Sequence, residues 1–314
     1  MAMCPLCRSR SLELIGSFPA PDLVLAYRQA FAVDVAHFFN ESALRFFRCS
    51  SCDLRFFDPL VTGDSVFYER LSAMDGYYMD KKPEFEFAKR SISQEDLVLE
   101  IGGGKGGFGN SLTAEKYTGL EFNKEAVQVA RNAGLRMFLE SIEDHASGNR
   151  EKYDVVCTFQ VLEHVSNPRS FLEAAMNCLR PGGKLIVSVP SYDSFQRNVV
   201  NHLLNMPPHH VTIWSNRSLL NMATIVGARM EHIEQEKVAG YHFEWFIQTA
   251  IYRLMRRDPK VDKMVNLGRK VRFFSRISNI AAKVAMPIVG PLMRRLPVEF
   301  LPNGHSVMAV LRKL

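Results

Sequence analysis

Between residues 97 and 236, short and almost wholly apolar runs take turns with amphipathic stretches of helical period. A short apolar run bounded by turn residues reads as a strand buried on both faces. Apolar positions recurring every three to four residues read as a helix with one buried side. The strand-like runs are 97–101 (LVLEI), 116–122 (KYTGLEF), 135–139 (LRMFL), 153–159 (YDVVCTF), 184–190 (KLIVSVP), 228–236 (ARMEHIEQE) and, after a long gap, 305–313 (HSVMAVLRK). The helical stretches are 84–93, 125–134 with a closing glycine, 168–180 with an opening proline, and 216–227. A further helix is expected to start near Gly106, directly after the glycine run that follows the first strand. Strictly alternating elements predict an α/β domain built on a parallel sheet with helices on both faces.

Two segments do not share this rhythm, and they divide the chain into a module over 1–62, the alternating domain over 63–237, an insertion over 238–304, and a last strand of the same sheet over 305–314. The first module holds two CxxC pairs, Cys4 with Cys7 and Cys49 with Cys52, around an apolar middle. Each CxxC turn brings two thiolates together, and two such turns complete a closed four-sulfur shell for a tetrahedral ion. That shell implies structural Zn2+ with no open position for catalysis. A module of this size buries too little core to hold itself firmly, so metal binding would supply much of its folding free energy. The gap between the pairs is longer than in simple ribbons, which requires an excursion between them. Cys157 and Cys178 fall inside a strand and a helix and read as core residues.

A chain of 314 residues with 47% hydrophobic and 23% charged residues is an ordinary globular protein of about two domains. The N-terminus shows no basic segment leading into an apolar run. No apolar stretch is long enough to span a bilayer, so a soluble cytoplasmic protein is expected. The net charge of +6 is concentrated: residues 238–314 carry 14 Lys+Arg against 4 Asp+Glu, which leaves the remainder net acidic. A general nucleic-acid surface is therefore not expected. Within the insertion, 251–297 reads as a basic helical lid or as a helix lying on the inner membrane surface. Pro287, Gly290 and Pro291 are expected to break it and argue against a membrane span.

The candidate chemistry gathers at the ends of the strands. Gly102, Gly103 and Gly104 permit a tight turn and close approach of a ligand to the backbone, and Gly102, Gly104 and Gly107 fit the weak GxGxxG pattern. Glu121 ends the second strand, where a carboxylate can accept both hydroxyls of a ribose. His164 lies just past the fourth strand. His209 and His210 lie in a proline-stiffened segment that returns to the same rim after the fifth, so all three are candidate general bases.

Taken in order, VLEIGGGKGGF, GLEF, YDVVCTFQVLEHVSNP and LRPGGKLIVSVP resemble the motif series of class I S-adenosylmethionine-dependent methyltransferases, including relatives of the ubiquinone-pathway O-methyltransferase. CPLC with FRCSSCDLRFFDP is similar to the zinc-binding module fused to such enzymes in polysaccharide and antibiotic sugar clusters. The resemblance implies a Rossmann-like seven-stranded sheet with a small zinc-ribbon-like module and a helical C-terminal insertion. It also implies methyl transfer to a small-molecule, sugar, glycan or lipid-linked acceptor. Glu100 and Gly102–Gly104 would hold the methionine end of S-adenosylmethionine, Glu121 the ribose, and Phe122 the adenine face. Ser141 and Ile142 stand where relatives place an adenine-capping Asp, which this chain lacks. Phe159 and Gln160 would line the methyl-donor end, and His210 is the favoured base because its family counterparts lie at the substrate cleft. Two other readings compete. A nucleotide-dependent oxidoreductase would use the same GxGxxG but gives no reason for the LRPGG and VLEH segments. A non-catalytic zinc-containing binding protein is disfavoured by the intact glycine turn and Glu121.

Overall fold

The computed structural model describes residues 2–72, 82–256 and 265–314. In chain order, β1 (Leu12–Pro19), α1 (Ala20–Phe31), β2 (Ala43–Cys49), β3 (Arg55–Asp58) and α2 (Ser65–Ser72) build the N-terminal part, and α3 (Pro83–Lys89) leads out of it. The alternating part follows as β4 (Val98–Ile101), β5 (Tyr117–Leu120), α4 (Lys124–Asn132), β6 (Met137–Phe138), α5 (Ile142–Gly148), β7 (Tyr153–Phe159), α6 (Pro168–Cys178) and β8 (Leu179–Pro190). The chain closes with β9 (Thr212–Ile213), α7 (Asn216–Ile225), β10 (Ala228–Lys237), α8 (Phe243–Arg256), α9 (Arg269–Arg295) and β11 (Asn303–Lys313).

The large sheet has seven strands in the order β10-β11-β8-β7-β4-β5-β6. From β8 to β6 every neighbouring pair is parallel, and these strands are buried along almost their whole length, which explains their unbroken apolar runs. The sheet is nevertheless mixed. β11 runs antiparallel to both β8 and β10, contrary to the all-parallel expectation. β10 delivers the chain to the insertion, no crossover returns it to the opposite end of the sheet, and β11 therefore runs back.

Three further expectations are corrected. The segment after the glycine run forms only a 3-10 turn at Gly109–Ser111, with no α-helix starting near Gly106. Gly106 has φ +86°, and a Cβ there would sit 2.4 Å from Leu135 Cδ1, so this loop presses on its neighbour as only glycine can. Glycines at 106, 107 and 109 also weaken any helix by about 1 kcal/mol each. Second, β5 stops at Leu120, and β6 keeps only Met137 and Phe138 of its predicted run. Third, α9 continues through Pro287 and Pro291. The two prolines lie one helical turn apart on an exposed face, so the carbonyls that lose their partners are on the solvent side. Residues 257–264 of the predicted 251–297 helical stretch lie outside the described residues.

The small sheet is antiparallel in the order β1-β2-β3-β9, and its fourth strand comes from the loop after β8. One continuous core joins Cys4, Leu6, Cys52 and Phe56 of the first sixty residues to Trp214 just after β9, Leu219 of α7, and Val187 and Ile101 of the main sheet. Among the described residues no helix is long and apolar enough to cross a membrane.

Candidate active site and cysteine centre

β4 and β5 end side by side, and the chain turns sharply after each. Gly102 (φ +79°) and Gly104 (φ +53°) adopt left-handed backbone, and the N–H groups of Gly102 and Gly103 donate to Leu120 O at 2.8 and 3.0 Å. A Cβ on Gly102 would fall 2.3 Å from Val161 Cγ2, so any side chain there is excluded. Glu121 spans the gap between the two turns. Its Oε2 accepts from Gly104 N at 3.0 Å, and its Oε1 accepts from Phe122 N at 2.8 Å and Asn123 N at 2.9 Å. Glu100 lies beneath, where its Oε2 accepts from Tyr117 Oη at 2.6 Å and burial pushes its carboxyl up to about 7. Phe122 stands 74% exposed on the rim, with buried Ile142 also lining the same pocket. Ser141 does not line it. Its Oγ caps α5 by accepting from Asp144 N at 3.0 Å, so Glu140 and Ile142 occupy the wall where the sequence pointed to Ser141.

The same pocket, about 980 Å³, continues past the end of β7. Phe159 is buried against Phe85 and Phe108. Gln160 turns with φ +57°, and its Nε2 lies within hydrogen-bond reach of three acceptors, Ser188 Oγ (2.8 Å), Glu84 Oε1 (3.1 Å) and Ser306 Oγ (3.2 Å), which holds the side chain between α3, β8 and β11. Beyond it His164, His209 and His210 converge, with ring centroids 4.5–4.7 Å apart. Each directs Nδ1 onto an oxygen: His164 onto His209 O (2.7 Å), His209 onto Leu204 O (2.7 Å) and His210 onto Asn205 Oδ1 (3.0 Å). Donation from Nδ1 would leave the lone pair of each neutral imidazole on Nε2. Burial drives the same way, lowering His164 to about 4 and His209 and His210 well below the ordinary imidazole range. Glu163 faces the Nε2 atoms of His210 and His164 at 3.8 and 4.0 Å. It is 1% exposed, neither carboxyl oxygen has a hydrogen-bond partner among the described residues, and burial raises it to about 8.

The cysteines form a separate centre on the small sheet. Cys4 Sγ lies 3.5 Å from Cys52 Sγ and Cys7 Sγ 3.4 Å from Cys49 Sγ, and all four sulfurs fall within 4.8 Å of one another as free thiols. Four sulfurs at about 2.3 Å from one ion stand about 3.8 Å apart, so the set fits tetrahedral zinc and is far too open for disulfides. The two knuckles repeat one geometry. The residue after each pair, Arg8 (φ +61°) and Asp53 (φ +66°), is left-handed and donates its N–H to the carbonyl of the first cysteine. Cys157 and Cys178 lie elsewhere, fully buried in β7 and α6.

The structure thus brings Glu100, the three glycines, Glu121, Phe122, Ile142, Phe159, Gln160 and the three histidines around one pocket, and the four zinc-type cysteines around another point. Sequence reading passed over Glu163, Glu84, Tyr68, Glu236, His202 and His242, which line the first pocket. Only Glu163 carried a local signal, as an acid beside a histidine in a rim segment. The others arrive from α2, α3, the β8–β9 loop, β10 and the entry to α8, which only the folded chain brings together.

A seven-stranded sheet with one antiparallel strand, a glycine turn after β4 and an acid after β5 define a nucleoside-binding α/β domain. The methyltransferase-domain family model matches residues 71–257, and the chain belongs to that family. The chain is 36% identical over 119 residues to the ubiquinone biosynthesis O-methyltransferase of Vibrio atlanticus, covering 35% of this chain and 47% of that protein. It is 35% identical over 102 residues to the corresponding enzyme of Serratia proteamaculans, covering 30% and 42%. It therefore spans about half the length of these curated relatives. Among solved structures, a SAM-dependent methyltransferase from Archaeoglobus fulgidus aligns with 80% of this chain and 100% of its own at 14% identity and a TM-score of 0.48.

Proposed function

We propose that the protein is an S-adenosylmethionine-dependent methyltransferase acting on a hydroxyl of a small polar acceptor, of the sugar, glycan or lipid-linked kind, in the cytoplasm. The observation that carries the reading is that one pocket holds the Gly102–Gly104 turn with Glu121 at one end and the histidine cluster at the other. Its volume suits a cofactor and an acceptor side by side. The residues fit an adenosyl group. The Gly102 position admits no side chain, the Glu121 carboxylate lies between the two turns, and Phe122 offers an exposed flat face. S-Adenosylmethionine would supply a methyl already activated on a sulfonium, so the chain mainly has to orient the acceptor and take its proton.

His210 is the group proposed to take that proton, through the Nε2 that Asn205 leaves free by fixing Nδ1. In the transfer so proposed, the acceptor oxygen would take the methyl group as the sulfonium gives it up, and the hydroxyl proton would pass to His210 Nε2. A preference for polyhydroxylated acceptors is supported by buried atoms of the pocket lining without hydrogen-bond partners among the described residues: Gln196 Nε2, His202 Nδ1, His242 Nδ1 and Glu236 Oε1. Such donors and acceptors match hydroxyl groups. We further propose that the four cysteines hold one structural Zn2+.

Incubating cell extract with isotope-labelled methyl donor and following the labelled product by mass spectrometry tests the reading. Wild type should label a product and His210→Ala should lower turnover about 10²–10⁴-fold with S-adenosylhomocysteine affinity unchanged. No calorimetric binding of S-adenosylhomocysteine would overturn it, and binding of NAD instead would favour the oxidoreductase.

A further inference from the structure

α9 has two apolar sides, and among the described residues only one is packed against the rest of the protein. Val271, Ser278, Ala282 and Met293 are buried, and Ala282 and Met293 pack with Phe243 and Ile247 of α8. On the opposite side Phe273, Ile280, Val284, Ile288 and Leu292 are 56–72% exposed, and Val298 and Phe300 just beyond the helix are 63% and 72% exposed. Their spacing of four and seven residues makes one continuous stripe along the helix. Single exposed apolar residues need no explanation, but a contiguous stripe of this kind marks a surface that meets something apolar.

The charges decide what that is. Residues 269–300 carry seven cations, Arg269, Lys270, Arg272, Arg276, Lys283, Arg294 and Arg295, against one acid, Glu299. Arg276, Lys283 and Arg294 recur at helical repeat spacing, which sets them in a row along one flank of the stripe. A second copy docked on this face would bring like charges together along its length, which opposes self-association. A bilayer with anionic headgroups offers the opposite: acyl chains for the stripe and negative charge for its flank, with the helix lying in the interface plane. The exposed prolines 287 and 291 are tolerable there because the headgroup region is wet.

We propose that α9 is a membrane-surface helix that seats the protein on an anionic phospholipid bilayer. The inference is independent of the proposed methyl transfer. If both hold, the attachment keeps the pocket near the bilayer, since α8 follows directly on Tyr241 and His242 of the pocket lining.

The test is co-sedimentation of the full chain with vesicles of phosphatidylcholine alone or with about one third phosphatidylglycerol. Most of the protein should pellet with the anionic vesicles at low salt and several-fold less at high salt. The variant Ile280→Asp/Val284→Asp/Ile288→Asp changes exposed positions only. It should stay in the supernatant while keeping the wild-type melting temperature, which shows that it is folded. Arg276→Glu/Lys283→Glu/Arg294→Glu should lose the preference for phosphatidylglycerol. Wild type remaining in the supernatant under every condition would overturn the proposal. So would light scattering that shows a dimer abolished by the triple Asp variant, because the stripe would then be a contact between copies.

Discussion

At the scale of single residues, the pocket sets opposite titrations side by side. Burial holds His164 near 4 and His210 well below the usual imidazole value, while the same burial holds Glu163 protonated up to about 8. A histidine with a depressed folded value contributes stability above about 6.5 that is lost as pH falls toward 4. Glu163 acts in the reverse sense: its contribution is intact below the ordinary carboxyl range and is lost as pH rises toward 8. The melting temperature should therefore pass through a maximum on the acid side of neutrality, and Glu163→Gln should flatten its alkaline decline. A melting temperature that keeps rising through pH 8 would contradict this. For catalysis the same burial predicts that the acid limb of kcat lies below pH 6.5. A limb at or above 6.5 would mean that the base is not an imidazole held as His210 is. At the other end of the pocket, Glu121→Ala removes the acceptor of three backbone N–H groups and the proposed ribose contact. It should weaken S-adenosylhomocysteine binding about 10- to 100-fold by calorimetry, the effect of one or two charge-assisted hydrogen bonds.

At the scale of elements, what the sequence made legible were strands whose apolar runs are buried on both faces, and knuckles whose chemistry is local. β7 reproduces its predicted run because both faces are covered. β11 was recognisable as a strand, but its direction is set by how the insertion returns the chain, which no local pattern encodes. The helix expected after the glycine turn is absent because Gly106, Gly107 and Gly109 weaken it locally and Gly106 packs closely on Leu135, a contact no local pattern encodes. β9 escaped notice because its two residues become a strand only by pairing with β3. The knuckles also carry an element-scale prediction. Asp53 is 6% exposed, bonds Arg48 Nε at 2.7 Å, Arg55 at 3.2 Å and Ser215 Oγ at 2.5 Å, and so ties the second knuckle to the start of α7. Asp53→Ala leaves the buried Arg55 without its carboxylate partner and should cost about 3 kcal/mol in urea unfolding. An unchanged midpoint would mean that the knuckle is held by the sulfurs alone.

At the scale of the molecule, the two centres are joined by a short chain of backbone hydrogen bonds. Cys52 ends the second knuckle, β3 follows it, and Phe57 N of β3 donates to Val211 O at 3.0 Å. Val211 N in turn donates to Glu163 O at 2.9 Å, and Val211 immediately follows His210. The cysteine centre thus braces the segment that presents His209 and His210, whereas the Gly102–Gly104 turn and Glu121 follow β4 and β5, strands of the other sheet. Withdrawing a metal from the four sulfurs should accordingly act unevenly. Chelation, or Cys49→Ser, should lower turnover at least tenfold while S-adenosylhomocysteine affinity changes less than threefold. Equal losses of both would indicate general unfolding, and loss of neither would show that the small sheet holds its shape without an ion. The uneven outcome follows from the roles proposed for the two ends of the pocket, because a fixed acceptor and the proposed base would matter to the reacting atoms but not to an adenosyl group held at the Gly102–Gly104 end.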